Sequence, residues 1–383
     1  MSRIRVLIVD DAVVVRRLVS DALADDPEIE VVGTAANGRI ALQKIPQVNP
    51  DVVTMDVEMP ELNGIETVRA LRPTYPKLPV IMFSTLTERG GTATLDALAA
   101  GASDYVTKPA NVGSVALAQQ RVREDLIPRI KTLAGRIVVP VAAARPTAPP
   151  VPPAPRGAAT SARPSHLGDA RPSIVAIGVS TGGPNALAAL IPSLPADLRV
   201  PVVITQHMPP MFTRLLAERL NQQSPLEVRE GAPGMLVTPG TVTIAPGDYH
   251  MVLERQGTEV RVALNQDPPE NSCRPAVDPM FRSVVALYGH RTLGVILTGM
   301  GQDGLRGCEG IRDAGGQVLA QDEASSVVWG MPGFVVRAGL ADKVLPLPDI
   351  AAEITRRVTA TTTTGWIASQ PVIPRDSRRT EVV

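Results

Sequence analysis

Three residues whose types suit hydrolytic chemistry, Ser180, His207 and Asp303, each follow a short apolar run of β-strand character. Ser180 lies in IVAIGVSTGGPN, where Ile174 to Ile177 form the run. Gly178, Gly182 and Gly183 allow a sharp turn that presents the hydroxyl at the strand's C-terminal edge. The spacing fits G-x-S-x-G, but a serine that merely caps the helix starting near Pro184 would fit it too. Its partners decide. QHMPPMF places His207 after the strand at 201–205, and TGMGQDG places Asp303 after the strand at 293–297. A nucleophile, a general base and an orienting carboxylate on one edge of one sheet are what acyl transfer requires. His166, His250 and His290 fall in a linker, a hairpin and a helix end, so position makes them poorer bases. The order Ser, His, Asp differs from that of α/β-hydrolases, so the serine motif does not import that fold. The glycine-rich tract also lacks the Lys-Ser/Thr of a P-loop and the full G-x-G-x-x-G of a dinucleotide site.

A second constellation occupies the N-terminal third. Asp10 and Asp11 follow one apolar run, Asp56 a second, Ser84 and Thr85 a third, and Thr107, Lys108 and Pro109 a fourth. In a parallel sheet these loops share the carboxyl edge, where ligands bind. Three carboxylates meeting there repel one another, which calls for a hard divalent cation such as Mg²⁺, with Lys108 as a further positive partner.

The elements that must position both sets follow from periodicity. Strands are predicted at Arg5 to Val9, Glu30 to Gly33, Val52 to Met55, Val80 to Phe83 and Asp104 to Val106, with helices starting near Val13, Gly38, Ile65, Thr92 and Val112. A second series has strands at 174–178, 201–205, 241–245, 293–297 and 317–320, helices near 184–191, 211–222, 276–288 and 304–314, and a hairpin at His250 to Leu264. The expected fold class is α/β in both halves: an N-terminal (βα)5 doubly wound parallel sheet of flavodoxin-like type, then a doubly wound α/β domain with a mixed sheet. Residues 1–130 form the first domain, 131–172 an Ala/Pro-rich linker, 173–358 the second domain, and 359–383 a tail with little periodicity.

Composition excludes several functions. Lysine plus arginine equal aspartate plus glutamate at 38 each, and aromatics are 3%, so neither a basic nucleic-acid face nor a base-stacking platform is expected. The two cysteines, Cys273 and Cys308, form no C-x-x-C pair, and the start MSRIRVLIVDD is no signal peptide. A cytoplasmic protein with no direct membrane insertion is expected. An N-terminal regulatory domain driving a DNA-binding output is the main rival, but the second half offers no basic recognition helix.

Residues 1–130 resemble the response-regulator receiver domain through VDD at 9–11, MDVEMPELNG at 55–64, FSTLT at 83–87 and DYVTKP at 104–109. The second domain resembles the catalytic domain of chemotaxis-type protein-glutamate methylesterases (the CheB family). The segments carrying this are IGVSTGGP at 177–184, TQHMPPMFT at 205–213, APGDYHM at 245–251, RPAVDPMF at 274–281, GVILTGMGQDG at 294–304 and GMPGFVVRAG at 330–339.

The resemblance implies phosphorylation of Asp56 by a histidine kinase, with Asp10, Asp11, Asp56 and the Glu58 carbonyl serving Mg²⁺. It further implies that Lys108 contacts the phosphoryl group, Ser84 is the hydroxyl that moves toward it, Tyr105 is an aromatic rotor and the Lys108-Pro109 bond is cis. For the second domain it implies hydrolysis of glutamate γ-methyl esters on the cytoplasmic helices of chemoreceptors, with methanol released, and deamidation of receptor glutamines. No cofactor is expected for that reaction. Thr181 and Met300 are implied as oxyanion donors beside Ser180, His207 and Asp303; by its own charge and its place in the loop before the helix at 276–288, Arg274 is expected either to steer acidic receptor helices or to form an ordinary surface ion pair. The unphosphorylated receiver is expected to cover Ser180 with its fourth helix and the loop holding Ser84.

Overall fold

The computed structural model describes residues 3–109, 114–135 and 171–359. The first sheet comprises β1 (Ile4–Val9), β2 (Ile29–Ala35), β3 (Val52–Asp56), β4 (Val80–Ser84) and β5 (Asp104–Thr107), in the order β2-β1-β3-β4-β5 and parallel throughout. Helices α1 (Val13–Ala24), α2 (Gly38–Val48), α3 (Gly64–Leu71) and α4 (Glu88–Ala99) make the four crossovers, and α5 (Val115–Leu133) follows the last strand. Because β1 leads away to β2 on one side and β3 to β4 on the other, the crevice of this sheet opens between the carboxyl ends of β1 and β3. Asp10 and Asp56 stand there.

The fourth helix begins at Glu88, four residues before the predicted start near Thr92. Gly90 and Gly91 hide the start in the sequence, yet the Thr87 hydroxyl caps it by accepting from Gly90 N at 3.0 Å. Gly91 is small for a tertiary reason: a Cβ there would lie 2.6 Å from Leu215 Cδ1 of the second domain. The predicted fifth helix starts later, at Val115, where the Ser114 hydroxyl accepts from Leu117 N. Of the expected linker at 131–172, residues 131–133 instead form the end of the fifth helix and 136–170 lie outside the described residues, as does the tail beyond Thr359.

The second domain continues with β6 (Ile174–Val179), α6 (Gly183–Leu190), β7 (Val202–Gln206), α7 (Phe212–Gln223), β8 (Glu227–Glu230), β9 (Thr241–Ile244), β10 (His250–Gln256) and β11 (Glu259–Asn265). It closes with α8 (Val277–Tyr288), β12 (Thr292–Ile296), α9 (Leu305–Asp313), β13 (Gln317–Gln321), α10 (Met331–Arg337), β14 (Lys343–Leu345) and α11 (Leu347–Thr359). Seven strands pair in the order β14-β13-β12-β6-β7-β9-β8, all parallel. The antiparallel pairing expected within a mixed sheet is present, but as a separate two-stranded sheet of β10 and β11. The hairpin packs on α8 rather than extending the main sheet.

Every residue of β6 is buried, as a central parallel strand with helices on both faces demands. Val175, Ile177 and Val179 point to the face of α6 and α7, and Ile174 and Ala176 to the face of α8 and α9. Since β6 leads to β7 while its other neighbour β12 leads away to β13, the crevice opens at the carboxyl ends of β6 and β12. The first core face runs on into the receiver: Met82 and Tyr105 belong to the same apolar cluster as Phe212 and Leu215. Fully burying a side chain such as Phe212 contributes about 1.5–3 kcal/mol, so the two domains share a hydrophobic seam.

Candidate active site

Ser180 directly follows β6. Its N–H donates to Thr298 O at 3.0 Å and its carbonyl accepts from Gly183 N at 2.7 Å, which closes the turn into α6. Gly182, with φ of 78°, takes the left-handed conformation that turn requires. His207 follows β7, its N–H donating to Val179 O at 3.2 Å, and the Gln206 side-chain amide donates to both Ser180 O (3.0 Å) and His207 O (3.3 Å). The turns that carry Ser180 and His207 are thus tied by one carboxamide.

Asp303 completes the set. Its Oδ2 lies 2.8 Å from His207 Nε2 and accepts from Val277 N at 2.6 Å. Its Oδ1 accepts from Asp278 N (3.1 Å), Gly304 N (3.0 Å) and Asn271 Nδ2 (2.9 Å). Val277 and Asp278 open α8, so the carboxylate caps a helix N-terminus. Burial alone would raise the Asp303 carboxyl, but the His207 hydrogen bond and charge and these N–H donors hold it below the ordinary value. Burial would likewise lower the His207 imidazole, yet its hydrogen bonds with Asp303 and Cys273 override it and hold the ring above its usual pKa. A carboxylate so surrounded only accepts, so in the neutral ring Nε2 carries the proton and Nδ1 keeps the lone pair. Nδ1 faces Cys273 Sγ at 3.5 Å.

Ser180, Thr181, His207, Cys273 and Met300 line one cavity of about 520 Å³. Among the described residues no hydrogen bond joins Ser180 Oγ to the ring, and the N–H groups of Thr181 and Met300 have no protein acceptor. Arg274 does not face this cavity with a free charge. Its Nε and Nη2 both bond Asp248 Oδ1, at 3.1 and 2.6 Å, and Nη1 bonds the carbonyls of Gln266 and Asp267, so it braces its own loop.

The receiver forms the other wall. Asp104, Tyr105, Val106, Thr107, Glu124 and Arg129 line the same cavity. Thr181 Oγ1 donates to Asp104 Oδ2 at 3.1 Å, Arg129 Nε lies 3.2 Å from that oxygen, and Thr132 Oγ1 is 3.0 Å from Met300 Sδ. Tyr105 stacks on Phe212 with ring centroids 4.9 Å apart. The fourth helix packs alongside: Asn185 Nδ2 donates to Leu98 O, and Arg219 and Arg214 pair with Asp96 and Glu88. So β5 and α5 face Ser180, α4 lies against α6 and α7, and Ser84 is not in the cavity wall.

At the receiver's own edge, oxygens of Asp10, Asp11 and Asp56 lie within 4.8 Å of one another. Lys108 Nζ is 2.8 Å from both Asp10 and Asp56. Burial, and the charge of Asp10 to a lesser degree, push the Asp56 carboxyl up to about 6 against the pull of Lys108. Ser84 Oγ donates to Gly90 O at 3.1 Å, away from Asp56. Glu58 borders the pocket that holds Asp11. Among the described residues the cis peptide bond is Arg274-Pro275, not the Lys108-Pro109 bond that the resemblance implies.

Gln206, Asn271, Cys273 and Asp104 touch the site, and the sequence alone marks none of them as part of it. Gln206 adjoins His207 and was within reach of motif reasoning. Asn271 and Cys273 sit in a loop with no periodicity, and Asp104 is joined to Thr181 only by the docking of the domains.

Residues 175–354 match the family described as CheB methylesterase, and residues 6–118 the response regulator receiver domain. A protein-glutamate methylesterase/protein-glutamine glutaminase of a Nocardioides species is 56% identical over 368 residues, covering 94% of this chain and 96% of the relative. One from Trichodesmium erythraeum is 54% identical, covering 94% of this chain and 100% of the relative. The crystal structure of the Thermotoga maritima CheB methylesterase catalytic domain shares 44% identity with a TM-score of 0.48, covering 49% of this chain and 99% of that one. With identity of this extent running through both domains, the chain belongs to the CheB family of receiver-bearing protein-glutamate methylesterase/protein-glutamine glutaminases.

Proposed function

We propose that the cavity at the carboxyl ends of β6, β7 and β12 hydrolyses glutamate γ-methyl esters on the cytoplasmic helices of chemoreceptors, with Ser180 as nucleophile. The observation that carries this is the His207–Asp303 pair: Asp303 can only accept at Nε2, which leaves the Nδ1 lone pair in the cavity that Ser180 lines. Nδ1 takes the Ser180 proton as Oγ attacks the ester carbonyl, and Asp303 stabilises the imidazolium. The free N–H groups of Thr181 and Met300 are suited to receive the oxyanion, each worth about 3 kcal/mol of barrier. The imidazolium returns its proton to the departing methoxide, methanol leaves, and a glutamyl ester on Ser180 remains. Nδ1 then deprotonates a water that attacks this ester, releasing the glutamate carboxylate and restoring Ser180. A glutamine side chain follows the same course with ammonia as leaving group. The Ser180 hydroxyl makes no bond to the ring in the receiver-covered state, and such bonds often tighten only with substrate bound.

The receiver controls access. Asp56 is the acceptor of a phosphoryl group from a histidine kinase in the cytoplasm. Three crowded carboxylates, offset among the described residues by Lys108, fit a hard cation, so Asp10, Asp11, Asp56 and the Glu58 carbonyl would hold Mg²⁺, which when bound would neutralise charge on phosphoryl oxygens. Ser84 would turn from Gly90 toward the phosphoryl group and Tyr105 would leave its stack on Phe212, loosening the wall over Ser180. Among the described residues no helix is long and apolar enough to cross a membrane, in keeping with a partner that acts on receptor helices without inserting.

The test is methanol release from methylated receptor membranes. Ser180→Ala should abolish it while the protein still folds and accepts phosphate at Asp56; sustained turnover would overturn the assignment.

A further inference from the structure

A second buried carboxylate stands beside the catalytic one. Asp278 is 1% exposed in the first turn of α8, and burial, with the charge of Asp303 contributing, pushes its carboxyl up. Two like charges in a buried site are most readily relieved by a shared proton, the behaviour of carboxylate dyads. Such a proton would be harmful here. If it sat on Asp303 it would be donated to His207 Nε2, the ring proton would move to Nδ1, and no lone pair would remain for the Ser180 hydroxyl.

One side chain lies between the two carboxylates. Asn271 Nδ2 donates one proton to Asp303 Oδ1 at 2.9 Å and the other to Asp278 Oδ2 at 3.0 Å. An amide nitrogen can only donate, so each carboxylate is kept as an acceptor on the side where they face each other. Gly307 N holds the other Asp278 oxygen at 2.7 Å. The backbone is shaped for this contact. Asn271 and Ser272 have φ of 51° and 62°, and Glu270 and Cys273 exchange N–H···O bonds of 3.2 and 2.9 Å around them. Such consecutive left-handed residues are uncommon outside glycine, and asparagine tolerates the conformation better than most. Arg282 of α8 grips Glu270 through both nitrogens, anchoring the turn to the helix that Asp303 caps. The turn therefore brings Asn271 to Asp303 at its tip and Cys273 to His207 Nδ1 at its end.

We propose that Asn271 is a positioning residue for ester hydrolysis: its carboxamide keeps Asp303 and Asp278 from sharing a proton and so maintains the His207 tautomer whose Nδ1 accepts from Ser180. The proposal rests on the roles assigned above to Asp303 and His207. The charged groups around the amide are Asp278 and the Arg282–Glu270 pair from the α8 side, His207 beyond Asp303, and Arg306 and Glu309 of α9. These last two line a polar cavity of about 300 Å³ that Asn271 also borders.

The test uses the full-length protein activated by a small-molecule phosphodonor and assayed on methylated receptor membranes. Asn271→Gly keeps the left-handed backbone and removes only the amide. It should lower kcat about 10- to 100-fold with KM little changed, the size of effect expected when a partner that orients a catalytic group is lost. The pH profile of kcat should change with it, and Asn271→Asp, adding a third carboxylate at the same place, should be worse at neutral pH. The decisive variant is Asn271→Gly combined with Asp278→Asn. Removing one of the two repelling carboxylates should recover most of the lost kcat and the parental pH profile, a rescue that a merely structural role for Asn271 would not give. If kcat and its pH profile are unchanged in Asn271→Gly, or the combined variant is no better than the single one, the proposal is wrong. If instead Asp303→Asn or His207→Ala retains full activity, the failure lies with the site assignment and not with Asn271.

Discussion

Removing the Asp104 carboxylate should open the esterase without phosphorylation. In the covered state Asp104 Oδ2 accepts from the Thr181 hydroxyl at 3.1 Å and lies 3.2 Å from Arg129 Nε. When the domains part, Arg129 stays with its own domain and water replaces Thr181, so only the cross-domain bond is at stake. Net of exchange with water, a hydrogen bond contributes about 0.5–1.5 kcal/mol between neutral groups and about 1.5–3 to a full charge, so one to a carboxylate already paired with Arg129 contributes about 1–2 kcal/mol. At about 1.4 kcal/mol per tenfold, Asp104→Ala should raise the open fraction, and basal methanol release, about 5- to 30-fold. The ceiling is the rate of a fragment lacking residues 1–130. Arg214→Ala is the control, since its pair with Glu88 is exposed and worth about 0–1 kcal/mol. Phosphorylation of Asp56 in Asp104→Ala establishes that the receiver is folded. Basal activity unchanged from the parent, or no higher than in Arg214→Ala, would refute the idea that this contact holds the site shut.

Other outcomes follow from the same geometry. Asp56→Asn should take up no acid-labile phosphoryl group from a small phosphodonor and should stay at the basal esterase rate; labelling equal to the parent would mean another acceptor. Because burial holds the cation-free Asp56 carboxyl up at about 6, Mg²⁺ must displace a proton to bind below that value, so affinity for Mg²⁺ should weaken as pH falls through it, and chelation of Mg²⁺ should suppress phosphorylation at every pH. The His207 ring is held above its ordinary 6.5, so the neutral base appears only at higher pH and kcat/KM of the activated enzyme should rise with a midpoint above 6.5. A midpoint at or below 6.5 would show that Asp303 does not hold the imidazolium.

The central strands and the residues at their ends were legible because burial on both faces writes itself as an apolar run. Ile174–Val179 and Val52–Asp56 begin at the predicted residues, and Ser180, His207 and Asp303 come to the shared edge. The edge strands Glu227–Glu230 and Lys343–Leu345 have no such run, because one side of each strand has no neighbour. The start of α4 was obscured by Gly90 and Gly91, and Gly91 answers to Leu215 in the other domain, which no local pattern records. The same holds for the wall over the site. The fourth helix was expected there, but Asp104, Tyr105 and Arg129 supply it, with Tyr105 set against Phe212 of the other domain. Asn271 was hidden for a different reason: its role depends on two carboxylates that lie on α8 and before α9 and meet only in the fold.

The identity of the nucleophile is tested most directly by acid-quenching the phosphodonor-activated enzyme during turnover of a receptor-derived glutamyl methyl ester peptide and locating the covalent adduct by peptide mass spectrometry. Attack by the Ser180 hydroxyl predicts a glutamyl group on Ser180, with its level rising in any variant that slows attack by water, and no adduct in Ser180→Ala. An adduct on Cys273, whose sulfur lies 3.5 Å from the same His207 Nδ1, or on any residue other than Ser180, would contradict it.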